Sequence, residues 1–179
     1  MKTVNCDSLG KSHKKLVAAA LAAMETSYSP YSGFAVGAAL MTARGRIVTG
    51  SNVENAAYGS TICAERAALV SANAMGERVF SSLAVVAGQR KGRRSGRSDV
   101  ISPCGACRQM LYEASQNAGR DLEVILLSAD RKTVVLTSIS ELLPLGFGGG
   151  QVITQNAEVG TRGGVKRPRA SLVKSVEKQ

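Results

Sequence analysis

The stretch FAVGAALMTARGRIVTGSNV, residues 34–53, carries two apolar runs separated by ARGR at 43–46. Short apolar runs on either side of a glycine-containing connection predict a β-hairpin, with strands over 34–42 and 46–53. On both flanks the period changes. Leu16, Val17, Ala20, Leu21 and Met24 recur at helical spacing, which predicts a helix over 8–26. Pro30 and Gly33, in SYSPYSGF (27–34), end it. Downstream, 63–74 and 104–116 predict helices, while 82–87, LEVILLS (122–128) and TVVLTS (133–138) predict strands. SISELLP (138–144) predicts a short helix stopped by Pro144. An antiparallel hairpin leading into strand–helix–strand units implies an α/β layer architecture, with a mixed five-stranded sheet flanked by helices.

The chain has 179 residues, 44% of them apolar, which is enough for one domain with a substantial core. Four cysteines without a regular framework argue against a disulfide-stapled secreted module. KKLVAAALAAM (14–24) imitates a secretory signal, but its apolar part is short, alanine-rich and set back from the start. It reads as the buried face of the first helix. No apolar run is long enough to span a membrane, and a cytoplasmic protein is expected. The net charge of +10 is concentrated. Residues 89–99 hold five basic residues and one acid, and 155–179 hold six basic residues and two acids. From about residue 151 regular patterning gives way to glycine and charge. The expected organisation is a folded domain over 1–150 and a mobile basic tail over 151–179.

Three of the cysteines form a pattern. Cys104 and Cys107 are three apart at a helix start marked by Pro103, so both side chains share one face of the first turn. Cys63 also stands at a helix start. Exposed N–H groups and the helix dipole favour thiolate there. Three thiolates from two helix starts make a zinc site with one position open, the catalytic pattern. Glu65, at i+2 from Cys63, is not a natural fourth ligand. It can lean over the open position, accept a proton from water and pass it to a leaving group. Three thiolates on zinc give a formal charge of −1, which Arg66 and the two helix dipoles can offset. A solvated surface arginine is the plain alternative for Arg66. Cys6, as a fourth ligand, would make the site structural, but it stands before the first helix with no partner motif. It reads as an ordinary surface or core cysteine.

Cys-x-Glu followed by Pro-Cys-x-x-Cys resembles the zinc-deaminase signature in its all-cysteine form. SPYSGFAVGAAL, GSNVENAAYGSTICAERAAL, SPCGACRQML and ELLPLGFG together resemble the small homo-oligomeric cytidine deaminases, in the family's order, over residues 9–150. The resemblance implies a three-layer cytidine-deaminase-like fold and zinc-dependent hydrolysis of cytidine or deoxycytidine, as in pyrimidine salvage. It makes Cys63, Cys104 and Cys107 the zinc ligands, one Zn²⁺ per subunit, and Glu65 the proton shuttle. Asn52 and Glu54 would hold sugar hydroxyls with Val53 between them, and Phe34 would line the base pocket. The Ala64 backbone would contact the base, and Arg66 would bond the ligand sulfurs. Phe147 would reach into a neighbouring subunit's site, in a homotetramer. Asn52 and Glu54, two apart on an extended segment, also share a face by geometry alone.

The chain departs from the family in its longer basic loop before Pro103, in the glycines after Phe147 and in the tail. One alternative is a deaminase of another aminopyrimidine such as blasticidin S. Asn52, Glu54 and Phe147 count against it. The other is a nucleic-acid-binding module with structural zinc, suggested by Arg90, Lys91, Arg93, Arg94 and KRPR (166–169). Charge runs of this kind are usually solvated, so weak nonspecific association with nucleic acid is the expectation.

Overall fold

The computed structural model describes residues 1–89 and 100–148; the basic loop beyond Gln89 and the tail over 151–179 lie outside the described residues. Six strands, β1 (Lys2–Asn5), β2 (Phe34–Thr42), β3 (Ile47–Ser51), β4 (Phe80–Gln89), β5 (Glu123–Leu127) and β6 (Thr133–Ser138), form one sheet. Its order is β1-β6-β5-β4-β2-β3. Only β4 and β5 are parallel, so the sheet is mixed. The helices are α1 (Lys11–Met24), α2 (Ala64–Ala74), α3 (Gly105–Ala118) and α4 (Ile139–Leu142).

Side-chain alternation along the strands separates two cores. Leu83 and Val85, with Val124 and Leu126, pack on the side of α2 and α3. Ala84 and Val86, with Ile125 and Leu127, pack against Leu16, Val17 and Ala20 of α1. The result is three layers, with α1 on one face and α2, α3 and α4 on the other. No helix among the described residues is long and apolar enough to cross a membrane.

The sheet has six strands where five were expected. The extra strand, β1, pairs antiparallel with β6, Lys2 facing Leu136 and Asn5 facing Thr133. KTVN is short and mostly exposed, and its partner lies some 130 residues away. Local periodicity carries no signal for such an edge strand. Both ligand-bearing helices start one residue later than expected, with Cys63 and Cys104 at the N-cap positions.

Glycine sets how closely the helices lie on the sheet. A Cβ at Gly50 in β3 would lie 2.3 Å from Ala68 N and 2.6 Å from Ala64 O, both backbone atoms of α2. The alanines Ala64, Ala68 and Ala72, fully buried at four-residue spacing, form the matching face of the helix. Gly50→Ala forces α2 outward. The expected cost is about 2–3 kcal/mol, a fall of roughly 5–10 °C in Tm by calorimetry. Because Cys63 caps α2, activity falls with it, about 100-fold if the shift reaches 1 Å.

Candidate active site

The site lies where β3 and β4 end and where α2 and α3 begin. Cys63 and Cys104 cap the two helices, and Cys107 occupies the third helical position of α3. The backbone between these positions brings three sulfurs together. Cys63 Sγ is 3.8 Å from Cys104 Sγ, and Cys104 Sγ is 3.4 Å from Cys107 Sγ. All three lie within 4.8 Å of one another. A tetrahedral zinc with Zn–S bonds of about 2.3 Å needs sulfurs about 3.8 Å apart. The spacing fits zinc, and thiolates are soft ligands suited to it. Cys107 is fully buried, Cys63 partly so, and Cys104 is exposed.

The electrostatics also call for a cation. Burial raises the pKa of Cys107 most, and the Glu65 carboxylate and the other two sulfurs add to it. Burial likewise raises Cys63, partly countered by hydrogen bonding with Cys107. Burial also opposes ionisation of Cys104, but N–H groups of Cys107 and Ala106 at the start of α3, with the neighbouring thiols, bring it below the usual thiol value. Three thiolates therefore do not coexist here unless a cation compensates them, and metal binding releases protons.

Glu65 is 5% exposed, and the Cys107 thiol hydrogen-bonds its carboxyl. Burial lifts its pKa, with smaller downward pulls from its own backbone N–H, Cys107 and Arg66. A carboxyl whose pKa is raised in this way is better suited to accept and then return a proton. It stands outside the three-ligand group, as its i+2 position predicts. Arg66 donates to Thr61 O at 2.7 Å and approaches Cys63 Sγ at 3.9 Å. It therefore turns towards the ligand sulfur, away from the surface alternative.

Asn52 and Glu54 are buried, at 8% and 6% exposure, while Val53 between them is 47% exposed. Their side chains share a face, as expected of an extended segment. Val53 exchanges two backbone hydrogen bonds of 2.9 Å with Ile62, the residue before Cys63. The segment is thereby locked beside the thiols. Asn52 Oδ1 accepts from Ser27 Oγ at 2.6 Å and Val36 N at 2.8 Å, and Asn52 Nδ2 donates to Phe34 O at 2.9 Å. Glu54 accepts from Tyr31 N at 3.0 Å, from Ser32 N at 3.2 Å and from Ser32 Oγ. The Ser32 hydroxyl is the main reason its pKa falls below the usual carboxylate value; burial opposes this and the two N–H groups assist. Phe34 opens β2, its backbone tied to Ser32 and Asn52. Ala64 is fully buried against β3.

Cys6 packs against the α1-side core, across the sheet from α2 and α3. The only cysteine cluster of metal-binding spacing among the described residues is therefore the three-thiol group. Phe147 is 61% exposed, its carbonyl held by Gln109 Nε2 at 2.6 Å.

The family profile of the cytidine and deoxycytidylate deaminase zinc-binding region matches residues 10–118. The chain belongs to this deaminase family. A cytidine deaminase of Halalkalibacterium halodurans is 41% identical over 134 residues, covering 74% of this chain and 91% of that protein. The crystal structure of cytidine deaminase from Burkholderia pseudomallei aligns with a TM-score of 0.66 at 45% identity, covering 75% of this chain and 98% of that one. A blasticidin-S deaminase of Bacillus cereus is 30% identical over 112 residues, or 63% of this chain.

Several residues that brace this deaminase site were not evident in the sequence. Ser32 and Tyr31 hold Glu54, and Thr61 holds Arg66. Arg108 donates to Pro103 O at 2.7 Å, Leu142 O at 3.0 Å and Ser102 Oγ at 2.9 Å. It thus pins the approach to Cys104 against the end of α4. The signal for Ser32 was its place before Gly33, whose φ of +67° suits a turn. Arg108 gave none, because an arginine one turn into a helix normally faces water.

Proposed function

We propose that the chain is a zinc-dependent cytidine deaminase, hydrolysing cytidine or deoxycytidine to the uridine form and ammonia. The observation that carries this is a buried Glu65, pKa raised, beside three thiols converging from two helix N-termini. Cys63, Cys104 and Cys107 would hold the zinc, which would supply a Lewis acid to lower the pKa of water. Glu65 takes a proton from the attacking water and delivers it to N3 of cytosine. The water oxygen bonds to C4, and the proton of that new hydroxyl passes through the same carboxyl to the amino group as the C4–N bond breaks and C4=O forms. One water is consumed and one ammonia leaves, so atoms and charge balance.

The sugar lies over Asn52 and Glu54. Asn52 Oδ1 is fully used by Ser27 and Val36, and one Nδ2 hydrogen is committed to Phe34 O, which leaves one N–H to donate. Glu54 Oε2 takes two N–H groups and Oε1 one hydroxyl, which leaves Oε1 able to accept. A fixed donor beside a fixed acceptor suits a sugar hydroxyl. Val53 keeps the two at their spacing, Phe34 lines the base pocket and the Ala64 backbone contacts the base. Arg66 offsets charge on the sulfurs.

Phe147 completes the site of a neighbouring subunit in a homotetramer. Supporting assembly, large apolar side chains are exposed: Leu145, Phe147 and Tyr58 at 98%, 61% and 76%, and Val53 and Ile62 at 47% and 40%. The deaminase domain spans 1–150 with a basic tail over 151–179, and the enzyme serves pyrimidine salvage in the cytoplasm. A blasticidin-type substrate would leave the Asn52–Glu54 pair unmet. A structural zinc would need a fourth ligand, and none joins the group among the described residues.

The test is an absorbance assay of purified protein with cytidine and deoxycytidine, alongside ammonia release. One ammonia per nucleoside converted, abolished by a zinc chelator and restored by zinc, is expected. No conversion of either nucleoside by zinc-loaded protein overturns the proposal.

A further inference from the structure

The last residue of β4 carries a polar atom that nothing among the described residues satisfies. Gln89 Oε1 is buried and has no hydrogen-bond partner, although the residue as a whole is only partly buried. Such an orphan is destabilising unless something donates to it. Where it sits suggests what does. Gln89 pairs directly with Phe34 across β2 and β4, so their side chains leave the sheet on the same side. The same register puts Val36 opposite Ala87, and Ala38 opposite Val85. Ala38 and Val85 belong to the core under α2 and α3, so Gln89 is on the face that carries the thiols. Gln89 Oε1 also lies 3.6 Å from where a Cβ of Gly33 would be. Gly33 directly follows the Tyr31–Ser32 turn that clasps Glu54. The acceptor is therefore beside Phe34 and next to the turn that holds Glu54.

We infer that Gln89 is a further substrate-binding residue, its Oε1 accepting a hydrogen bond from a hydroxyl of the nucleoside sugar. This rests on the placement of the sugar over Asn52 and Glu54. A sugar hydroxyl is the donor that a nucleoside brings to this side of the pocket, since the base amine must face Glu65. The bound substrate thus satisfies an atom that the described residues leave unmet, and the site rejects analogues lacking that hydroxyl.

Gln89→Met keeps length and volume but removes the acceptor. Steady-state kinetics on zinc-loaded full-length protein would use cytidine and its 2′-deoxy, 3′-deoxy and 5′-deoxy analogues. For Gln89→Met with cytidine, kcat/KM is expected to fall about tenfold, mostly through KM. With one of the three analogues the variant and the wild type should be equal, because that analogue already lacks the partner. A uniform loss across all four nucleosides marks a merely structural role and overturns the inference, as does an unchanged kcat/KM for cytidine. Asn52→Ala, run in parallel, separates the two ideas. If it raises KM while Gln89→Met does nothing, only the inference about Gln89 fails. If neither variant alters KM, the sugar placement fails with it.

Discussion

Glu65→Gln is expected to lower kcat about 10⁴-fold while the protein keeps its zinc. The factor is at the top of the range for a positioned acid–base group, because one carboxyl moves protons both to N3 and to the departing amine. A 10⁴-fold loss corresponds to about 5.5 kcal/mol of barrier. The amide is isosteric and stays neutral, so the thiols and the start of α2 keep their places. Burial holds the Glu65 carboxyl above its usual pKa, with the start of α2 and the neighbouring thiol only partly opposing it. A raised folded-state pKa contributes stability below the unfolded value and loses it as pH rises through the folded one. In the zinc-free protein at neutral pH the wild-type carboxyl therefore carries a penalty that glutamine does not. The Tm of the zinc-free variant should hold or rise against zinc-free wild type, which excludes unfolding as the cause of lost turnover. Stopped assays over long times, zinc content by elemental analysis and a thermal melt provide the three readouts. Turnover within tenfold of wild type would remove Glu65 from the proton path.

Cys107→Ala should have the other large effect, abolishing both metal binding and activity. Cys107 is the fully buried member of the thiol group, 3.4 Å from Cys104 and hydrogen-bonded to Glu65. Removing it leaves two sulfurs, too few to hold zinc against dialysis. Activity should drop at least as far as in Glu65→Gln, since the metal and the order of the carboxyl are lost together. Stability gives an independent check. A ligand that binds only the folded state at 1,000 times its Kd stabilises by about 4 kcal/mol. For a chain of this size that raises Tm by roughly 8–16 °C. Wild-type protein stripped of zinc should regain this increment when zinc is added, and Cys107→Ala should show none. A variant that kept one zinc per chain through dialysis would mean that Cys107 is not a ligand.

The sequence by itself determined much of this protein. The hairpin over 34–53 announced itself because both strands are local apolar runs around a glycine turn, and period alone reports such elements. The three thiols and Glu65 were legible for a similar reason. Their spacing at helix starts is a local property, and helix N-termini impose the same chemistry wherever they occur. The edge strand β1 was not legible, since four residues of mixed character become a strand only through β6, far along the chain. Nor was the way α2 seats on Gly50, a contact between elements. The clasp of Glu54 by Ser32, the pinning of Cys104 by Arg108 and the placing of Gln89 beside Phe34 are also tertiary facts. Sequence patterns name the groups that can do chemistry, because each residue's reactivity is intrinsic to it. Which hydrogen bonds those groups have already spent, and which remain for a substrate, depends on neighbours distant in sequence, and only the fold supplies them.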